Sequence, residues 1–275
     1  MTYWHKLPLV LRAILVGLFV STLGVAISGL VAVSIPMPYS FLVMTIILVL
    51  YWRYFSGSWG PESTKAIRKE RTRSTTKLST RTWTWAIIGA LLIVLIEQAG
   101  LVFTFRLIEF PSDMFIQEYS FLNAVPTWAG WLYIIFISIV AGICEEFGFR
   151  GFMQQPIEKK YGPLVAISIT SIMFVVLHLH QAWSSSILIH IFLISALFGV
   201  LAFYTQSLIP GIVGHFIMDI CNFSFWWSDL FRQFDRETIF VTGADAHFVT
   251  WTSMLIIASG LFLYTIRIMK QDKKA

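Results

Sequence analysis

Charge is what this sequence has least of. Only 13% of its 275 residues are Asp, Glu, Lys or Arg, while 57% are hydrophobic and the mean hydropathy is +0.74. Soluble domains carry roughly 25% charge. A chain this apolar cannot cover a water-facing surface with polar groups, so its solvent is lipid. Cysteine is almost missing as well. Cys144 and Cys221 both lie inside apolar stretches, and there is no Cys-x-x-Cys. That excludes a disulfide framework and a thiolate metal site; both are read as buried free thiols. His-Glu-x-x-His is absent too, which excludes the usual helix-borne zinc-protease motif. No repeat of fixed period and no appended soluble domain can be drawn. The basic residues fall between apolar spans without an aromatic-rich basic face. The net charge of +5 is therefore read as an orientation signal, and nucleic acid is not expected as a partner.

What fills the chain is apolar runs, where a membrane crossing needs about 20 residues. Eight spans are expected, at 9–33, 39–55, 83–107, 127–150, 163–180, 187–205, 210–227 and 248–268. The fold class is then all-α: a polytopic membrane helical bundle forming one integral membrane domain over 1–275. Pro36, Pro38, Gly60-Pro61, Pro111, Pro126, Gly162-Pro163 and Pro210-Gly211 punctuate it. The first run is too long for the apolar core of a signal peptide and is read as a retained span. Within the N-terminal part, 1–126, the segment 52–81 carries Arg53, Lys65, Arg68, Lys69, Arg71, Arg73, Lys77 and Arg81 against Glu62 and Glu70. The positive-inside bias places it in the cytoplasm. An even span count then puts both termini there, which Arg267, Lys270, Lys273 and Lys274 support. The acidic stretches 108–126 (Glu109, Asp113, Glu118) and 228–247 (Asp229, Asp235, Glu237, Asp245) fall outside, with Arg106, Arg232 and Arg236. The basic stretch is expected to be a solvated loop, with a lipid-headgroup or partner patch as the lesser reading. The compact basic loops suggest a bacterial plasma membrane.

Ionisable groups inside spans are costly and usually face the protein interior or a water-filled cavity. Glu145, Glu146, His178, His215 and Asp219 stand out, with Arg150 just beyond the first two. Glu146 and Arg150 have the favourable i, i+4 spacing for an ion pair. Glu145 points about 100° away from its neighbour and is left free, which suits a general base. His215 and Asp219 are also four apart and share a face. If the fourth helix continues through Glu158-Lys159-Lys160, then Tyr161-Gly162-Pro163 is the tip of a helical hairpin. Glu145 and His178 are then level, each about 16 positions or ~24 Å from the tip. His215 can join them in one buried pocket, expected to open toward the cytoplasm. His180 is expected to face elsewhere. His190 is read as a polar contact near the outer end of the sixth span, and Glu97-Gln98 as a gate or a structural hydrogen bonder. Such a set can activate water in two ways. A zinc ion held by Glu145, His178 and His215 could polarise it. Alternatively, Glu145 with His178 could activate it directly while His215 with Asp219 stabilises the oxyanion.

Glu145-Glu146-Phe-Gly-Phe-Arg150, Phe174-x-x-x-His178 and His215-x-x-x-Asp219, in this order on separate helices, resemble the three motifs of the CAAX-processing and bacteriocin-processing (Abi) intramembrane endopeptidases. The resemblance covers about 127–228 and implies peptide-bond hydrolysis in or near the membrane. It implies Glu145 as water-activating base, His178 as its partner, His215 with Asp219 as the oxyanion site, and Glu146 with Arg150 in support. It leaves open whether a zinc ion takes part. The family pattern ends in Asn or Asp, and an Asp donates no hydrogen bond unless protonated. The expected function is thus an intramembrane endopeptidase acting on a protein or peptide substrate in the bilayer. The alternative is a non-proteolytic immunity or scaffold protein, or a proton-coupled carrier.

Overall fold

The computed structural model describes residues 3–74, 76–109, 113, 116–117, 119–181, 184–228 and 236–272. Pro111, Glu118, Asp229, Arg232, Asp235, Lys273 and Lys274, which bear on punctuation and orientation, lie outside the described residues. The elements are helical: α1 Leu9–Ser34, α2 Tyr39–Phe55, α3 Glu62–Arg71, α4 Thr80–Leu107, α5 Thr127–Glu145, a wide-turn (π-helical) segment Glu146–Gln154, α6 Gln155–Tyr161, α7 Pro163–Leu177, α8 Ser185–Thr205, α9 Ile209–Ser228 and α10 Ala246–Asp272. The protein is an all-α integral membrane bundle. Among the described residues, five helices are long and apolar enough to cross a membrane: α1, α4, the continuous rod Thr127–Tyr161, α8 and α10. α2 and α7 are apolar but shorter, and α9 carries His215 and Asp219.

α1 presents a stripe of small residues inward: Ala13, Gly17, Ser21, Gly24 and Ser28. Without a hydrophobic force between helices in lipid, close backbone approach supplies the attraction. Backbones come together in this way at Gly148. A Cβ there would lie 2.6 Å from Gly17 O and 2.6 Å from Ser21 Cβ. All nine residues of the wide-turn segment are buried, so this stretch runs through the centre of the bundle.

The basic segment differs from the expected solvated loop. It folds into α3 and docks under the bundle. The Arg68 guanidinium donates to the carbonyls of Tyr54, Trp59 and Pro61. Arg73 donates to Ala202 O at 2.7 Å and to Glu158 Oε2 at 2.9 Å. Lys159 binds Glu70 at 2.7 Å and holds that carboxyl below its usual range. Gln206, in the α8–α9 turn, donates to Glu158 Oε1 at 3.3 Å. The same end holds the foot of α10, where Asp272 meets Arg81 at 3.6 Å and Thr82 at 3.2 Å. Guanidinium groups reach buried carbonyls and carboxylates that lipid could not satisfy, and this end of the bundle is thereby sealed. At the opposite end the fully buried Arg106 binds Asp245, Thr242 and the Glu237 carbonyl. Its hydrogen bond to Asp245 keeps that carboxyl at about 2, ionised at any physiological pH.

Arg73 adopts φ 53, a left-handed conformation that costs a non-glycine residue roughly 1–2 kcal/mol. Its hydrogen bonds offset that cost. Arg73→Gly should therefore melt above Arg73→Ala, with both below the parent, in thermal unfolding of the purified chain. Arg73→Ala should lose about 2–3 kcal/mol through two charge-assisted bonds. A Tm equal to the parent for Arg73→Ala would refute the sealing role.

Candidate active site

Six polar residues singled out in the sequence come from three neighbouring pieces of chain. Glu145 closes α5, and Glu146 and Arg150 lie in the wide-turn segment. His178 caps α7, and His215 and Asp219 face inward from α9. The wide turn is a rare helical form, enriched at functional sites. It starts at Glu146, so the two glutamates stand on the junction between two helical geometries.

Glu146 is 0% and Arg150 1% exposed, and they form an ion pair at 3.1 Å. This is the pairing that the i, i+4 spacing predicts. The other end of the guanidinium donates to Ser195 O at 3.0 Å and to Ser195 Oγ at 3.2 Å. Aromatic rings cover its faces, with Phe174 at 5.1 Å and Phe198 at 5.6 Å from its carbon. A desolvated cation gains from such rings.

Glu146 Oε1 also lies 3.1 Å from His215 Nδ1. The carboxylate accepts, so Nδ1 carries the proton and Nε2 is turned to the other groups. Nε2 lies 3.7 Å from Glu145 Oε2 and 3.7 Å from Asp219 Oδ2. Both gaps exceed a direct hydrogen bond, so neither carboxylate is a close partner of Nε2. Glu145 Oε2 is buried without a hydrogen-bond partner among the described residues. Glu146, within hydrogen-bond reach of Nδ1, thus holds the His215 ring more closely than Asp219 does.

The motif phenylalanine has a mechanical role. Phe174 stacks on His178 with centroids 4.4 Å apart and also covers Arg150. Its carbonyl accepts from His178 Nδ1 at 2.8 Å. A carbonyl only accepts, which fixes the proton on Nδ1 and leaves Nε2 as the acceptor. His215 is stacked on Phe198 at 5.5 Å. Sequence reasoning misses Ser195 and Phe198, since both sit in an apolar run of α8 with no spacing to single them out.

Glu145, His178, His215 and Asp219 line one cavity of about 400 Å³. Its direction corrects the expected opening toward the basic side. Tyr119, Leu122, Gln181, Ile187 and Trp226 line it as well, all at the end opposite α3. The reason is the Arg73–Glu158–Ala202 clasp, which seals the basic end. His180 is a second correction. α7 stops at Leu177, and Leu179–Gln181 form a 3-10 turn, so the α-helical projection fails there. His180 lines the cavity, with its ring 5.9 Å from that of His178. Among the described residues, no group of three or more His, Cys, Asp or Glu is placed to hold a metal ion.

Glu146 needs the bare backbone of Gly211 beside it. A Cβ at Gly211 would lie 2.8 Å from Glu146 Oε2. Gly211→Ala should cost about 1–3 kcal/mol by overpacking. Gly260→Ala meets nothing within 4 Å and should be neutral or gain up to about 1 kcal/mol from helix propensity. Thermal unfolding of both variants checks the contrast; equal melting would show that Glu146 has room to move.

Residues 126–221 match the family model described as Type II CAAX prenyl endopeptidase Rce1-like. No curated protein and no solved structure matches the chain. The matched segment contains all six cluster residues, from Glu145 to Asp219, and supports a protease of the CAAX type. Residues 126–221 of this integral membrane protein are thus similar to the CAAX-protease family.

Proposed function

We propose that the chain is an intramembrane endopeptidase in which Glu145 activates the attacking water. The observation that carries this reading is the pair of 3.7 Å gaps around His215 Nε2, beside a Glu145 oxygen with no hydrogen-bond partner among the described residues. A water held on the cavity side of Glu145 and His215 loses a proton to the Glu145 carboxylate as its oxygen bonds to the peptide carbonyl carbon. His178 Nε2, an acceptor by tautomer, helps orient that water. The developing oxyanion is met by His215 when its Nε2 is protonated; Asp219 supports the charge on that imidazole. Glu145 then passes its proton to the leaving nitrogen as the C–N bond breaks, giving a carboxylic acid and an amine. Glu146 and Arg150 do not touch the substrate; they hold His215 and the helix. Each of these steps uses side chains of the chain itself. The substrate is a membrane-associated protein or peptide, and the basic end with both termini is assigned to the cytoplasm.

Glu145→Gln keeps the shape and removes the base. In nanodiscs carrying the full chain and a membrane-embedded reporter peptide, cleavage should fall about 10³-fold, within the range general bases supply. A rate within threefold of the parent would end the reading.

A further inference from the structure

The cavity has a second polar pole that the reaction above does not use. Glu97, on α4, is 3% exposed and lines the cavity together with His190 and Asn222. Gln98 Nε2 donates to Glu97 Oε2 and, at 2.6 Å, to Asn222 Oδ1, which fixes one carboxylate oxygen. The other, Oε1, faces His190 Nε2 at 3.6 Å. That is beyond a hydrogen bond, and His190 Nε2 is buried without a hydrogen-bond partner among the described residues. Glu97 and His190 thus face each other across a gap, each short of a close partner, in a wall otherwise built from groups such as Leu101, Ile187 and Ile191.

The charge of the cavity indicates what would fill that gap. Among the described residues its lining holds three carboxylates (Glu97, Glu145 and Asp219), four histidines, and no lysine or arginine. The nearby cation Arg150 is committed to Glu146 and Ser195. A carboxylate in apolar surroundings gains most from a cation that brings its own hydrogen bonds. Asn222 is three residues beyond Asp219 on α9, an axial step of about 4.5 Å. The second pole therefore sits within one to two peptide residues of the reacting groups.

Resting on the endopeptidase reading, we propose that Glu97, aimed by Gln98 and Asn222 and backed by His190, is a specificity subsite. It takes a cationic side chain, lysine or arginine, of the substrate peptide close to the scissile bond.

The test separates binding from cleavage. The full chain carrying Glu145→Gln, in nanodiscs, is titrated with the probe acetyl-Leu-Lys-Leu-amide and with its norleucine counterpart, with empty nanodiscs as the blank. The lysine peptide should bind at least tenfold more tightly. That preference should vanish when Glu97→Gln, a near-isosteric change, is added. Equal binding of the two peptides, or a preference that survives Glu97→Gln, would overturn the subsite. The melting temperature of the Glu97→Gln protein tells loss of recognition from loss of fold. If the double variant melts early, Asn222→Leu, which frees Gln98 and leaves the Glu97 side chain in place, must weaken the preference at least threefold; an unchanged preference overturns the proposal. Loss of cleavage in Glu145→Gln alone bears on the endopeptidase reading, not on this one.

Discussion

A carboxylate with no exposure to solvent, in the middle of a membrane bundle, is the constraint on which the rest of this structure depends. Glu146 cannot be hydrated there, and an isolated ion in such a medium is prohibitively costly. Arg150 neutralises it one turn along the same helix. The guanidinium then needs its own partners, which come from Ser195 on α8 and from the faces of Phe174 and Phe198. His215 takes the remaining contact to Glu146 Oε1. One buried charge thereby orders the wide-turn segment, α7, α8 and α9 around a single point.

The reactive groups inherit their geometry from that point. Since Glu146 is committed to Arg150 and His215, Glu145 beside it is left without a hydrogen bond on Oε2. His215 is held by its Nδ1, so its Nε2 is what faces Glu145 and Asp219. Phe174 links the same cation to the ring of His178. The carboxylate paired with Arg150 and His215 and the one left without a hydrogen bond on Oε2 are adjacent in sequence. The clasp of α3 on α6 and the α8–α9 turn closes the basic end and leaves the cavity extending the other way.

Much of this is legible in the sequence because it is local. The apolar runs mark the long helices, and the i, i+4 spacing alone marks the Glu146–Arg150 pair. What is not legible is set across the chain. The Glu146–His215 contact joins residues 69 positions apart, and Arg73 reaches Ala202 across 129. Basic residues in a short loop read as solvated because composition cannot show that a guanidinium has a buried carbonyl to bind. His180 escapes a helical projection because that projection runs past Leu177, where a 3-10 turn re-aims the ring. The wide turn beginning at Glu146 has no periodic signature in a stretch as short as Glu146–Gln154.

The central claim, that a single buried ion pair organises the site, is tested most directly by a double-mutant cycle. Glu146→Gln, Arg150→Met and the two together would be compared by unfolding of the purified chain in mild detergent. Removing one partner from a buried pair typically costs about 3–5 kcal/mol, because the other charge is stranded. The account predicts that the double variant loses less than the sum of the singles, by roughly 2–3 kcal/mol of coupling. Additive losses, or single variants as stable as the parent, would contradict it.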